Sequence, residues 1–309
     1  MKALVVGFGS IGSRHYEVLS KLGLQVSLVS KRKSCIGSSF TDLSVGLEKF
    51  KPDYLVISNN TDDHIEALST ARNLGFDGPI LVEKPISVSI DDIPELDTKN
   101  IFVAYNMRFN PLISRLRKEL TSETVLATVI YAGQYLPDWR DNVDYKDSYS
   151  SIKSKGGGVL RDLSHELDFV THLLGKWSSV SAIGGKFSNL KIETEDNFSI
   201  LLETSHNNSV CIHLNYLDRS PKRFIRINTA QHSFEIDFVK KTFNMDGKIE
   251  QYSFERNLTY ELQHKAILDN KHDDVTTFEE GKEILKLIDA IEKSALARPR
   301  KWIDNEKTM

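Results

Sequence analysis

Short apolar runs alternate with stretches of helical spacing through the first third of the chain. The runs at 3–6, 25–30, 53–58, 80–83 and 101–105 read as strands. Between the first two, Ile11, His15, Val18, Leu19 and Leu22 fall on one helical face that stops at Gly23. Ile65, Leu68 and Ala71 repeat the pattern over 62–74, with Gly75 as the stop. A polar connector covers 87–99, and a further helix is expected over 111–120. Strands alternating with helices predict a parallel, doubly wound α/β sheet.

The pattern then changes. Strand-like runs follow at 125–135, 180–187, 198–203, 209–216, 224–229, 233–238 and 249–254, several of them alternating apolar and polar positions. Such alternation suits strands buried on one face. Asn207-Asn208 and Asp246-Gly247 read as hairpin turns. Helices are expected at 259–268 and 278–296, the latter opened by a Thr277…Glu280 capping box and lined by Ile284, Leu287, Ile288 and Ile291. The second part therefore predicts an α+β domain with a large, mostly antiparallel open sheet. A chain of 309 residues exceeds what one core comfortably holds, and the change of pattern divides it into 1–120 and 121–309.

The turn after the first strand reads Gly7-Phe8-Gly9-Ser10-Ile11-Gly12. Gly-x-Gly-x-x-Gly between a strand and a helix fits a dinucleotide. The first glycine permits the turn, the second lets backbone approach a pyrophosphate, and the third lets helix and strand pack closely. The helix N-terminus would hold the anion. A Rossmann site usually carries an acid about 20 residues later for the adenosine ribose. Here that position reads Ser30-Lys31-Arg32-Lys33. Cations suit a 2′-phosphate, so NADP(H) is expected over NAD(H). A solvated basic loop is the plainer use of such a run.

Composition narrows the partners. A net charge of −3 gives no reason to expect nucleic acid or an anionic membrane. No apolar run approaches the ~20 residues that span a bilayer. The N-terminus lacks a basic leader, and Cys35 and Cys211 are far apart with no metal or disulfide spacing. A reduced, cytoplasmic protein without a metal is the expectation.

Two clusters could carry chemistry. Glu83-Lys84-Pro85 closes a strand, where Lys84 would face the ligand crevice and a Lys-Pro cis peptide could aim it; a surface lysine is the ordinary alternative. Gly156-Gly157-Gly158 leads into Asp162, Ser164, His165 and Asp168. On one helix, Asp162 and His165 would share a face, giving an imidazole that titrates near neutrality and a carboxylate to orient it. Plain helix packing would explain them equally.

These segments resemble the Gfo/Idh/MocA (glucose–fructose oxidoreductase / inositol dehydrogenase) family. The resemblance rests on the glycine turn, Asn59-Asn60-Thr61-Asp62-Asp63-His64, Glu83-Lys84-Pro85, Tyr105-Asn106-Met107-Arg108-Phe109-Asn110-Pro111, the triple glycine with Asp162, His165 and Asp168, and Phe278-Glu279-Glu280-Gly281. It implies a Rossmann domain joined to an open-sheet domain that forms a homodimer or homotetramer. It also implies hydride transfer with NAD(P) on a sugar, cyclitol or sugar nucleotide. Lys84 would polarise the reacting oxygen, His165 would serve as acid/base, and Asp162 would position it. Asn59, His64 and Glu83 would join the cofactor contacts. Arg108, Tyr135, Trp139, Arg140 and Tyr145 are candidates for a sugar site. The sequence departs from the family in its three-residue Asp162-to-His165 spacing, which leaves Asp162, Ser164 and His165 open for the catalytic position. Asn59-Asn60 stands where the family has Thr-Pro, and Asp77-Gly78-Pro79 is insertion-like. A non-catalytic cofactor-bound sensor and a reductase of a non-sugar are the alternatives.

Overall fold

The computed structural model describes residues 1–31, 39–140, 143–206 and 208–297. Strands β1 (Lys2–Val6), β2 (Gln25–Val29), β3 (Ser39–Phe40), β4 (Tyr54–Ile57), β5 (Ile80–Val82) and β6 (Ile101–Val103) form one sheet. Their order is β3-β2-β1-β4-β5-β6, and every pair is parallel. Helices α1 (Ser10–Lys21), α2 (Leu43–Phe50) and α3 (His64–Asn73) cover the sheet. Because side chains alternate along a strand, Leu4 and Val6 pack with Phe50 and Leu68 on one face, while Ala3 and Val5 pack with Leu19 on the other. Neither β3 nor α2 was expected. Two residues are too few to show a period, and α2 is eight residues opened by Asp42, whose carboxylate accepts from Val45 N at 3.1 Å.

Helix α4 (Pro111–Leu120) begins as expected, with Pro111 in its first turn. The second sheet holds β7 (Val125–Gly133), β8 (Trp177–Gly185), β9 (Asn197–Thr204), β10 (Ser209–Asn215), β11 (Lys222–Thr229), β12 (Ser233–Asp237), β13 (Thr242–Met245) and β14 (Lys248–Gln251). Its order is β14-β13-β12-β11-β7-β10-β9-β8. All pairs are antiparallel except β7 with β10. Strand β13 is an addition; it turns into β14 at Asp246 and Gly247, both with positive φ (51° and 87°). The other expected turn includes Asn207, outside the described residues.

Helices α5 (Val159–Asp162), α6 (His165–Leu174), α7 (Leu258–Leu268) and α8 (Phe278–Leu296) complete the chain. One sheet face packs inward through Ile200, Ile212, Ile225 and Ile236, with α8 adding Ile284, Leu287, Ile288 and Ile291. Each such side chain contributes roughly 1.5–3 kcal/mol of burial. The capping box at Thr277 and Glu280 is formed. Helix α7 crosses back and seats Ile267 beside Leu19.

Arg108 sits at the junction, 3% exposed. Its Nε and Nη2 donate to Asp168 on α6 (3.0 and 2.8 Å), and Nη1 donates to Glu280 on α8 (2.9 Å). This corrects its expected place at the substrate: every arm of the guanidinium is engaged internally. Removing one member of a buried pair leaves an uncompensated charge. Arg108→Met should therefore cost about 3–5 kcal/mol in denaturant unfolding, and adding Asp168→Leu should restore much of it. Wild-type stability for the single variant would contradict this role.

Candidate active site

The glycine turn tolerates no side chain at Gly7 or Gly12. Gly7 has φ +92°, and a Cβ there would lie 2.6 Å from Asn59 N; at Gly12 it would lie 2.1 Å from Gly7 O. Gly9 differs, because a Cβ would meet nothing within 4 Å. That open space belongs to a cavity of about 630 Å³ lined by Gly7, Phe8, Gly9, Ser30, Lys31 and Asn59, among others. Gly9 is also the N-cap of α1, with no capping side chain and no acid in the first turn. The N-cap of α1 thus lines the cavity with the positive end of the helix dipole uncompensated, which fits an anionic pyrophosphate. Ser10, Ile11 and Gly12 form that first turn without lining the cavity.

At the far end, Ser30 and Lys31 are joined by Thr41, Asp42 and Ser44 from the start of α2. Arg32 lies outside the described residues. Asp42, whose carboxylate caps α2, adds an acid to this end of the cavity. It arrives from a helix that the sequence pattern does not reveal.

The Lys84–Pro85 peptide is cis. Lys84 Nζ donates to the carbonyls of Asp162 (2.7 Å) and Arg161 (3.2 Å), at the C-terminal end of α5. Helix-terminal carbonyls attract a cation. Burial pulls the Lys84 pKa below its ordinary value, against the pull of Asp162, Glu83 and Glu166. His64 does not line the cavity. It is buried, and its Nδ1 lies 3.0 Å from Pro85 O, so the ring braces the turn behind Lys84. Burial depresses its pKa, leaving a neutral ring that donates to the carbonyl. Glu83 turns its Oε1 towards His15 Nε2, 2.9 Å away on α1.

The expectation that Asp162 and His165 share one helix is corrected: α5 ends at Asp162 and α6 begins at His165. The Asp162 carboxylate accepts from Tyr149 and from Tyr216 Oη (2.5 Å). Both phenols are held well above their usual pKa, first by burial and then by this carboxylate. Ser164 Oγ donates to Arg161 O at 2.9 Å and accepts from Tyr105 Oη at 3.4 Å. The His165 ring stands edge-on to Tyr105 at 5.6 Å, and its Nδ1 is buried without a partner. Burial, then the Lys84 and Arg223 charges, hold His165 well below the ordinary imidazole pKa. Behind it, Glu166 accepts from Arg223 Nε at 2.5 Å.

Tyr149, Tyr216 and Arg223 went unforeseen. Tyr149 lies in an aperiodic polar stretch, and nothing in a strand pattern marks Tyr216 as a carboxylate's donor. The sugar-site candidates reach this machinery from behind. Trp139 meets Tyr216 edge-on at 5.1 Å and donates Nε1 to Gln134 O, and Arg140 lies over the Tyr149 ring at 5.6 Å. Tyr145 shares with them a cavity of about 10 Å³, room for about one water. The Tyr135 ring is covered by Arg219 at 3.4 Å. Asp168 is the buried partner of Arg108.

A parallel nucleotide-binding sheet joined to an open mixed sheet, with a lysine and a histidine where they meet, defines the class. Residues 116–243 match the family model described as GFO/IDH/MocA C-terminal domain. The 2,7-anhydro-N-acetylneuraminate hydratase of Escherichia coli (strain K12) is 26% identical over 220 residues, covering 68% of this chain and 57% of that protein. The match thus takes in little more than half of that relative. Levoglucosan dehydrogenase in complex with NADH superposes with a TM-score of 0.81 at 15% identity, over 96% of both chains. The WlbA dehydrogenase from Bordetella pertussis, in complex with NADH and UDP-GlcNAcA, gives 0.77 at 20% identity, also over 96% of both.

The open space at Gly9 has a direct consequence. Gly9→Ala should fold normally yet weaken dinucleotide binding roughly tenfold or more, a change of about 1.4 kcal/mol. Unchanged affinity by fluorescence titration would place the pyrophosphate elsewhere.

Proposed function

We propose that this protein is an NAD(P)-dependent oxidoreductase that moves hydride to or from a carbohydrate-type ketone or alcohol, with NADP(H) preferred. One observation carries it: Lys84, which follows β5 at the same sheet edge where the glycine turn follows β1, has its Nζ fastened to the end of α5 and is electrostatically coupled to His165. The nicotinamide, when bound, would supply or accept the hydride. Lys84 places an ammonium at the reacting oxygen, where charge develops during reduction. His165 is neutral at pH 7, so in the oxidative direction it is the group able to accept the hydroxyl proton. In the reductive direction the depressed pKa of Lys84 suits it to donate. Asp162 bonds through its carboxylate to two phenols and through its carbonyl to Lys84, and so sets where the ammonium stands.

Ser30 and Lys31 at the far end support the 2′-phosphate preference, with Asp42 as the opposing charge. The outward row Leu201, Cys211 and Val129, in register across three neighbouring strands, supports self-association through the open sheet. A second reading comes from the E. coli relative, named a hydratase. Water addition or loss on a sugar derivative would use the same Lys84 and His165.

Nicotinamide absorbance against a panel of sugars, cyclitols and sugar nucleotides tests this. Lys84→Met should lower kcat about 10²–10³-fold with dinucleotide affinity kept. Product formed without net absorbance change would favour the hydratase reading. NADPH should bind more tightly than NADH, and Lys31→Ala should erase most of the difference. Equal binding in wild type would overturn the preference.

A further inference from the structure

Three buried side chains from three separate elements are linked end to end to Glu83, the residue before Lys84. Glu83, just after β5, sets Oε1 2.9 Å from His15 Nε2 on α1. His15 Nδ1 lies 2.9 Å from His264 Nε2 on α7. His264 Nδ1 lies 2.9 Å from Tyr54 Oη on β4. His15, His264 and Tyr54 are 0% exposed. The remaining Glu83 oxygen, Oε2, accepts from Lys84 N at 3.2 Å.

The ends fix the direction of the protons. Burial holds Tyr54 well above its ordinary pKa, so the phenol keeps its proton. Among the described residues Tyr54 Oη has no second partner, so this O–H must donate to His264 Nδ1. His264 then carries its single proton on Nε2 and donates to His15 Nδ1. His15 in turn donates Nε2–H to Glu83. Each N–H and O–H has one acceptor, and the only net charge stands on the carboxylate. A cationic imidazole would reverse at least one link and strand the Tyr54 proton in a dry site. Because Tyr54 is sealed, the row is no exit path for protons. It is a one-way brace with its negative end beside Lys84.

We infer that His15 and His264 are positioning residues: by donating in series towards Glu83 they hold its carboxylate ionised and aimed, and that charge helps keep Lys84 an ammonium. The effect on turnover rests on the hydride-transfer function proposed above; the proton arrangement does not. Lys84 is also faced by Asp162 from α5, His165 and Glu166 from α6, and Arg223 from β11. Glu83 is therefore one of three carboxylates acting on it. The His15 ring is met edge-on by Tyr260, which accepts from Arg14, so no further carboxylate competes for its protons.

Long-range ¹H–¹⁵N spectra of histidine-labelled protein test the arrangement without any substrate. Both rings should carry their proton on Nε2, with Nδ1 accepting. Tyr54→Phe should scramble the His264 tautomer. In lysine labelled at ¹³Cε, the Lys84 titration midpoint should fall by about one unit in His264→Leu. It should return in His264→Gln, whose amide can both accept from Tyr54 and donate to His15. The alkaline limb of the reductive kcat profile should move with it, while dinucleotide affinity stays within about twofold. If His264→Leu fails to fold, the wild-type spectra and Tyr54→Phe still decide. An imidazolium, an Nδ1–H tautomer at either ring, or a Lys84 midpoint unmoved in His264→Leu would overturn the inference. A wild type with no turnover on any substrate would count against the proposed reaction alone.

Discussion

A buried guanidinium holds the two halves of this protein in register. Arg108 leaves the nucleotide-binding sheet just after β6 and meets a carboxylate on α6 and another on α8. Ionic contacts so deep repay their desolvation only when geometry is good, and here three nitrogens are matched to two acids. The position of α6 follows from this contact, and His165 is the first residue of α6. A residue remote from the chemistry thus sets where the imidazole stands.

Charge around Lys84 is arranged with similar care. Its ammonium sits at the carbonyl end of α5, while the neighbouring histidines, His64 and His165, are both pushed towards neutrality by burial. Concentrating positive charge on one side chain avoids mutual repulsion in a site of low polarity. Two tyrosines on Asp162 perform the complementary task, satisfying a carboxylate that would otherwise be left dry. Trp139 and Arg140 contact those tyrosines through their rings.

Most of the fold was legible because its elements are long and periodic. The edges of α4 and α8 were readable from Pro111 and from the Thr277–Glu280 box, where capping chemistry marks the boundary. Segments 39–40 and 43–50 were not, since so short a strand and helix carry no period, and with them went Asp42. Candidate residues were legible by type and blurred by context. Lys84 and the glycine turn carry local signals. Arg108, His64 and the Asp162–His165 pair depend on tertiary partners, and one extra turn between α5 and α6 dissolves the shared helical face that spacing suggests. Tyr216 and Arg223 come from strands whose pattern reports burial and nothing of hydrogen bonding.

The parallel pairing of β7 with β10 bears on how the chain assembles. The registry Ser209 with Ala127 joins residues far apart in sequence, and β7 lies at the centre of its sheet, flanked by β10 and β11. Neither hairpin arm can close on β7 until the intervening segment, with α5 and α6, has been placed. Distant contacts of this kind slow folding, because loop-closure entropy is lost before the contacts reward it. The first sheet draws on nearby βαβ units and can form early. The second must then assemble around a gap in the chain that already contains His165, so this imidazole is installed as part of the sheet's own closure.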